Sequence, residues 1–150
     1  MKNGILAIKF MIAMATVAGA AEAQACTFQW HGYGENGIKE RVSQKIGDIV
    51  TNRYCNLYNK GYEIVLIFDS YSNATQSVGH ATAGIRKRGS QEVPSKRMSA
   101  YRSSNGNYTQ AYAMDLAARS SIDALTEIMD DIDAYVPSQK YDLAPGIRTP

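Results

Sequence analysis

Tyr62–Tyr71 reads YEIVLIFDSY, and the architecture is read outward from it. Ile64, Leu66 and Phe68 fall on one side of an extended backbone, Val65 and Ile67 on the other, because strand side chains alternate with a period of two. A strand apolar on both sides is central or covered on both faces. Ser72–Gln76 (SNATQ) is turn chemistry. Ser77–Arg88 (SVGHATAGIRKR) follows as a second strand, with small residues at Gly79, Ala81, Ala83 and Gly84. Gly89–Ser95 turns the chain, and Lys96–Ser103 makes a third strand ended by Ser104-Asn105-Gly106. Three short strands in succession predict an antiparallel meander.

Helices flank this sheet. Over Ile38–Tyr58 the apolar residues Ile38, Val42, Ile46, Ile49 and Val50 recur at helical spacing, with Asn36 as a candidate N-cap and Gly61 as a stop. Ala118, Ile122, Leu125, Met129, Ile132 and Val136 predict a longer C-terminal helix. Asn107 with Gln110 resembles a capping box before it, and Pro137 stands after it. The expected fold is α+β: a three-stranded antiparallel sheet flanked by an N-terminal helix and a long C-terminal helix, both on one face. Over residues 38–136 this order resembles small periplasmic envelope proteins, such as the auxiliary lipoproteins of curli-assembly and transport systems. The resemblance is one of pattern and assigns no residue a role.

The N-terminus has its own organisation. Met1–Lys9 carries Lys2 and Lys9, Phe10–Ala20 (FMIAMATVAGA) is apolar and small, and Ala21–Ala25 (AEAQA) has small residues at the spacing of a cleavage site. That order predicts a signal peptide over 1–25; the apolar run is shorter than the roughly 18–20 residues a membrane span needs. The mature chain would then be one α+β domain over 26–136, with a polar, proline-containing, disordered tail over 137–150.

Export to the periplasm or the medium makes the two cysteines, Cys26 and Cys55, a disulfide pair. A lipid anchor on Cys26 is the lesser alternative: Gln24 fits a lipoprotein signal poorly, and lipidation would strand Cys55. The chain has 16 Lys and Arg and 14 Asp and Glu. Loss of Lys2, Lys9 and Glu22 leaves 14 basic and 13 acidic residues, so net charge implies no attraction to nucleic acid or anionic membrane.

Charge is nonetheless segregated. Residues 86–102 hold Arg86, Lys87, Arg88, Lys96, Arg97 and Arg102 against Glu92 alone, with Tyr101 among them and Tyr108 and Tyr112 close by. Residues 115–133 hold six acids against Arg119. Tyrosine with arginine is the composition of interface hot spots, so Arg86, Lys87, Arg88, Lys96, Arg97, Tyr101 and Arg102 form the expected binding set. Catalytic signals are sparse: no Gly-x-Ser-x-Gly, no HExxH and no phosphate loop occurs, and His31 and His80 are the only histidines.

The sequence therefore predicts an exported, non-enzymatic binding or assembly module of the bacterial cell envelope that meets a protein partner and needs no cofactor or metal. Three alternatives stand beside it. An inhibitor or immunity protein against a toxin or hydrolase is one, and a structural component that self-associates through the C-terminal helix is another. The third is a small secreted enzyme pairing His31 or His80 with Asp69 or Glu35.

Overall fold

The structure, a computed structural model, describes residues 26–137. The signal peptide expected over 1–25, and all of the expected tail except Pro137, lie outside the described residues.

The elements run β1 (Trp30–Tyr33), α1 (Asn36–Ser43), α2 (Ile46–Ile49), α3 (Asn52–Leu57), β2 (Tyr62–Ser72), β3 (Ser77–Lys87), β4 (Arg97–Ser104), α4 (Gln110–Asp130) and α5 (Ile132–Tyr135). The fold is α+β, with a sheet of four strands in the order β1-β2-β3-β4. The meander β2-β3-β4 is antiparallel as expected, but β1 adds a fourth strand, parallel to β2, with Trp30 opposite Ile64 and Tyr33 opposite Ile67. The expected three-stranded antiparallel sheet is thus corrected to a mixed one. Residues 30–33 (WHGY) are too short to show alternation, and a parallel neighbour requires the intervening helical crossover that α1–α3 supply.

The helix expected over Ile38–Tyr58 is three short ones. Val50 turns extended at ψ 115°, and Thr51 restarts the chain as an N-cap whose Oγ1 accepts from the Tyr54 N–H. The break lets Ile38, Val42 and Ile46 point into the core from one direction and Tyr54 from another, all buried. It also carries Cys55 to Cys26, with Cα atoms 5.8 Å apart and a disulfide between them.

At the start of α4 the cap is Thr109, not Asn107: its Oγ1 accepts from the Tyr112 N–H at 3.2 Å. Most of the expected seam is buried (Ala118, Leu125, Met129 and Ile132), but the buried face widens beyond it to a side of small residues. Ala113, Ala117, Ser120, Ser121, Ala124, Leu125 and Ile128 are buried, whereas Ile122 is only half-buried. The small residues of β3 explain the added small-residue side. Gly79, Ala81 and Ala83 form a shallow track, and α4 settles into it closely enough for Ser120 Oγ to donate to the Gly79 carbonyl at 3.1 Å. A Cβ on Gly79 would stand 2.0 Å from the Ala117 nitrogen, a backbone atom of α4. We expect Gly79→Ala to lift the helix from the sheet and cost about 2–3 kcal/mol, the upper range for overpacking, in a urea denaturation series. A midpoint equal to wild type would mean that α4 does not sit this close.

Candidate functional site

All the helices lie on one face of the sheet, with Ile64, Leu66, Phe68, Ala81, Ala83 and Ile85 turned toward them in the core. The alternate residues therefore line the opposite face: His31 and Tyr33 of β1, Glu63, Val65, Ile67, Asp69 and Tyr71 of β2, then His80, Thr82, Gly84 and Arg86 of β3, and Arg97, Ser99 and Tyr101 of β4. One end of this face is covered. The chain turns at Gly89, whose φ of 77° favours glycine, and returns so that Pro94 packs on Gly84. A Cβ on Gly84 would stand 2.6 Å from the Pro94 Cβ, so the glycine makes room for the loop. The rest of the face is open. Tyr33 is 45%, Ile67 38%, Tyr71 54% and Tyr101 60% exposed.

Between open and covered ends lies a buried ion pair. Glu63 and Arg86 are directly cross-strand, and Arg86 Nε donates to Glu63 Oε1 at 2.7 Å. The second carboxylate oxygen receives the Gly89 N–H at 3.4 Å and faces His31 Nε2 at 3.3 Å. Arg86 Nη2 donates to the Tyr33 hydroxyl at 3.2 Å, and its guanidinium stacks over the Tyr33 ring at 5.9 Å. Burial alone would push the Glu63 carboxyl up. The hydrogen bonds from Arg86 and Gly89, with the charges of His31 and Arg86, outweigh it and hold the group below its ordinary value. The cluster joins β1, β2, β3 and the covering loop.

The seven residues of the expected binding set do not form one patch. Arg86 is buried in the ion pair just described. Arg88 donates to the Asn59 carbonyl, and Lys96 Nζ to the Ala134 carbonyl at 2.7 Å. Arg102 faces the helices and forks onto Asp123 through Nε and Nη2, at 2.6 and 3.1 Å. Lys87, opposite Tyr62, is exposed at the end of β3 on the helical side, whereas Arg97 and Tyr101 remain exposed on the open face of β4. The opposite charges of the two segments thus meet in part within the fold. Asp133 at the far end of the acidic stretch is likewise taken by Arg53 and Tyr58, whose hydrogen bonds hold its carboxyl below the usual range.

His80 is placed beside Asp69, one of the carboxylates expected for it, without an ion pair between them among the described residues; His31 meets a different carboxylate. His31 meets Glu63, and that carboxylate is already committed to Arg86. His80 stands cross-strand from Asp69 and Tyr101 on the flat open face, exposed, while Asp69 accepts from the Ser70 N–H. Glu35 accepts from Gln110 Nε2 at 3.2 Å. Trp30 packs on the core, with Lys39 Nζ 5.8 Å from its ring. Among the described residues, no three His, Cys, Asp or Glu side chains converge as a metal-ligand set. Glu63 was legible in principle: it is the one charge within YEIVLIF, and a lone charge in a buried strand needs a partner across the sheet.

No family model matches the chain, and no curated protein does. Among the solved structures that the chain overlays, two align only weakly. A ribosomal subunit interface protein from Coxiella burnetii aligns at a TM-score of 0.34 and 17% identity, over 71% of this chain and 97% of its own. A candidate lipoprotein from Caulobacter crescentus CB15 aligns at 0.33 and 10%, over 71% of this chain and 85% of its own. At this level neither overlay bears on function. The disulfide is compatible with folding in an oxidising compartment, and no helix among the described residues is long and apolar enough to cross a membrane.

Proposed function

We propose that the chain is an exported binding or assembly module of the bacterial cell envelope, and that it meets a protein partner on the open face of its sheet. The observation that supports this reading is the row of exposed Tyr33, Ile67, Tyr71 and Tyr101 on a face that no helix covers. Large aromatic side chains on a rigid sheet lose little entropy when buried by a partner and dominate interface energetics. Arg97 stands on this face at the β4 edge, and residues 93–114 contain no acid, so the partner surface is acidic where it meets β4.

The test is a crosslinked pull-down of the tagged mature chain from its native envelope or culture fluid, repeated with Tyr101→Ala, Ile67→Asp and Arg97→Glu. One stoichiometric partner is expected. The Tyr101 and Ile67 variants should bind it at least about tenfold more weakly, and the charge reversal should remove the salt dependence. Arg86 and Arg88 are left alone, since both are engaged within the fold. Recovery of the chain alone, or of the same partner with every variant, would reject the proposal.

A further inference from the structure

A second surface lies on the far side of the molecule, in the helical layer. Here α1, the segment after it and β4 enclose a cleft of about 310 Å³ over the outer side of α4. That volume is at the lower end of the range for small-molecule sites, roughly 300–1,000 Å³. Four cations line it: Arg41 and Lys45 from one side, Arg102 from the other, and Arg119 from α4. Two carboxylates, Asp115 and Asp123, share it, leaving two positive charges in excess. Ala118 and Ile122 give it an apolar patch, which is why Ile122 stands outside the buried face of its helix.

The two carboxylates hold the arginines in place. Arg41 Nε donates to Asp115 at 2.6 Å while its Nη1 donates to the Gly37 carbonyl at 2.6 Å. Arg102 is forked onto Asp123. Each guanidinium is thereby fixed in orientation and keeps N–H donors free of these bonds. Lys45 and Arg119 are exposed and form no ion pair among the described residues. Fixed guanidinium forks beside two free cations are the donor set for carboxylate or phosphate oxygens, and the apolar patch takes the body of an organic ligand.

We infer that this cleft binds a small organic anion of two negative charges, a phosphate monoester or a dicarboxylate, independently of the open sheet face. The experiment titrates the mature chain with phenyl phosphate and, separately, with benzene-1,2-dicarboxylate, following backbone amide shifts by NMR; phenol and inorganic phosphate serve as controls. Saturable shifts at Lys45, Ala118, Arg119 and Ile122 are expected, stronger for one of the two anions than for inorganic phosphate, and none with phenol. The stronger anion identifies the headgroup. A Lys45→Glu/Arg119→Glu pair changes only exposed side chains and should weaken binding at least about tenfold, leaving the amide spectrum of the sheet unchanged. Absence of saturable shifts with both anions at millimolar concentration, or equal binding by the charge-reversed pair, would overturn the inference.

Discussion

Replacing Arg86 with Ala is expected to cost about 3–5 kcal/mol of folding stability and to reverse the response of the protein to acid. The magnitude follows from what is left behind. Glu63 is 2% exposed, and without Arg86 its charge keeps only the Gly89 N–H and His31. Removing one partner of a buried pair is costly because the other charge stays desolvated. A double replacement, Glu63→Leu with Arg86→Met, removes both charges and keeps apolar volume; it should be markedly less destabilised than Arg86→Ala alone.

The sign of the pH dependence is the sharper test. In the native protein the Glu63 carboxyl titrates below its ordinary value of 4.5. Its contribution to stability is therefore complete above that value and is lost as the pH falls through the lower folded value. In Arg86→Ala the largest remaining influence is burial, which raises the carboxyl above 4.5. Acid then protonates the stranded group in the native state before it does so in the unfolded chain, and the variant gains stability as the pH falls through the raised value. Urea midpoints should rise for the variant as the pH falls towards 4.5 while the wild-type contribution of Glu63 stays complete, and the wild-type contribution should be lost only below 4.5. Parallel curves would show that Glu63 is solvated and that the pair contributes little.

This cluster also shows where sequence reading stops. The strand pair β2-β3 was legible because Ile64, Leu66 and Phe68 alternate against Val65 and Ile67, and the C-terminal helix because its apolar residues repeat with helical spacing. What escaped depends on three-dimensional neighbours. Thr27–Gly37 reads as a short strand or an ordered loop, but that its residues 30–33 join the sheet as a fourth strand comes only from their parallel partner. The buried face of α4 is made largely of Ala and Ser, which an apolar-spacing search ranks below Ile122, yet only small residues fit against Gly79. The basic segment 86–102 reads as one patch in sequence. Alternation along β3 and β4 then sends Arg86 to the covered end of the open face and Arg102 to the helical side. Arg97 and Tyr101 alone of the expected set share the open face with the exposed tyrosines of β1 and β2, and composition gave no sign that those tyrosines would be neighbours.

The same N-terminal strand makes the disulfide the second large lever on stability. Cys26 stands just before β1, and the bond ties it to α3 across a sequence separation of 29 residues. Closing a loop of that length restricts the unfolded chain by roughly 3–4 kcal/mol in the chain-entropy account. A Cys26→Ser/Cys55→Ser chain should lose about that much in denaturant. The loss should also have a location. β1 is an edge strand paired on one side, held otherwise by the Asn59 side chain on the Thr27 carbonyl, by the Ile64 N–H on the Gln29 carbonyl, and by the contacts of His31 and Tyr33 with the ion pair. Without the bond, the amides of β1 should exchange with solvent through local opening, while those of β2 and β3 exchange only on global unfolding. Because β1 brings His31 to Glu63 and Tyr33 to Arg86, its fraying also weakens the ion pair, so the disulfide and Arg86→Ala effects should be less than additive when combined. Full additivity would mean that β1 stays docked without the bond. A thiol titration of the chain from its own host separates the bridged form from its alternative: a bridged chain has no free thiol, whereas a lipid on Cys26 leaves Cys55 to react.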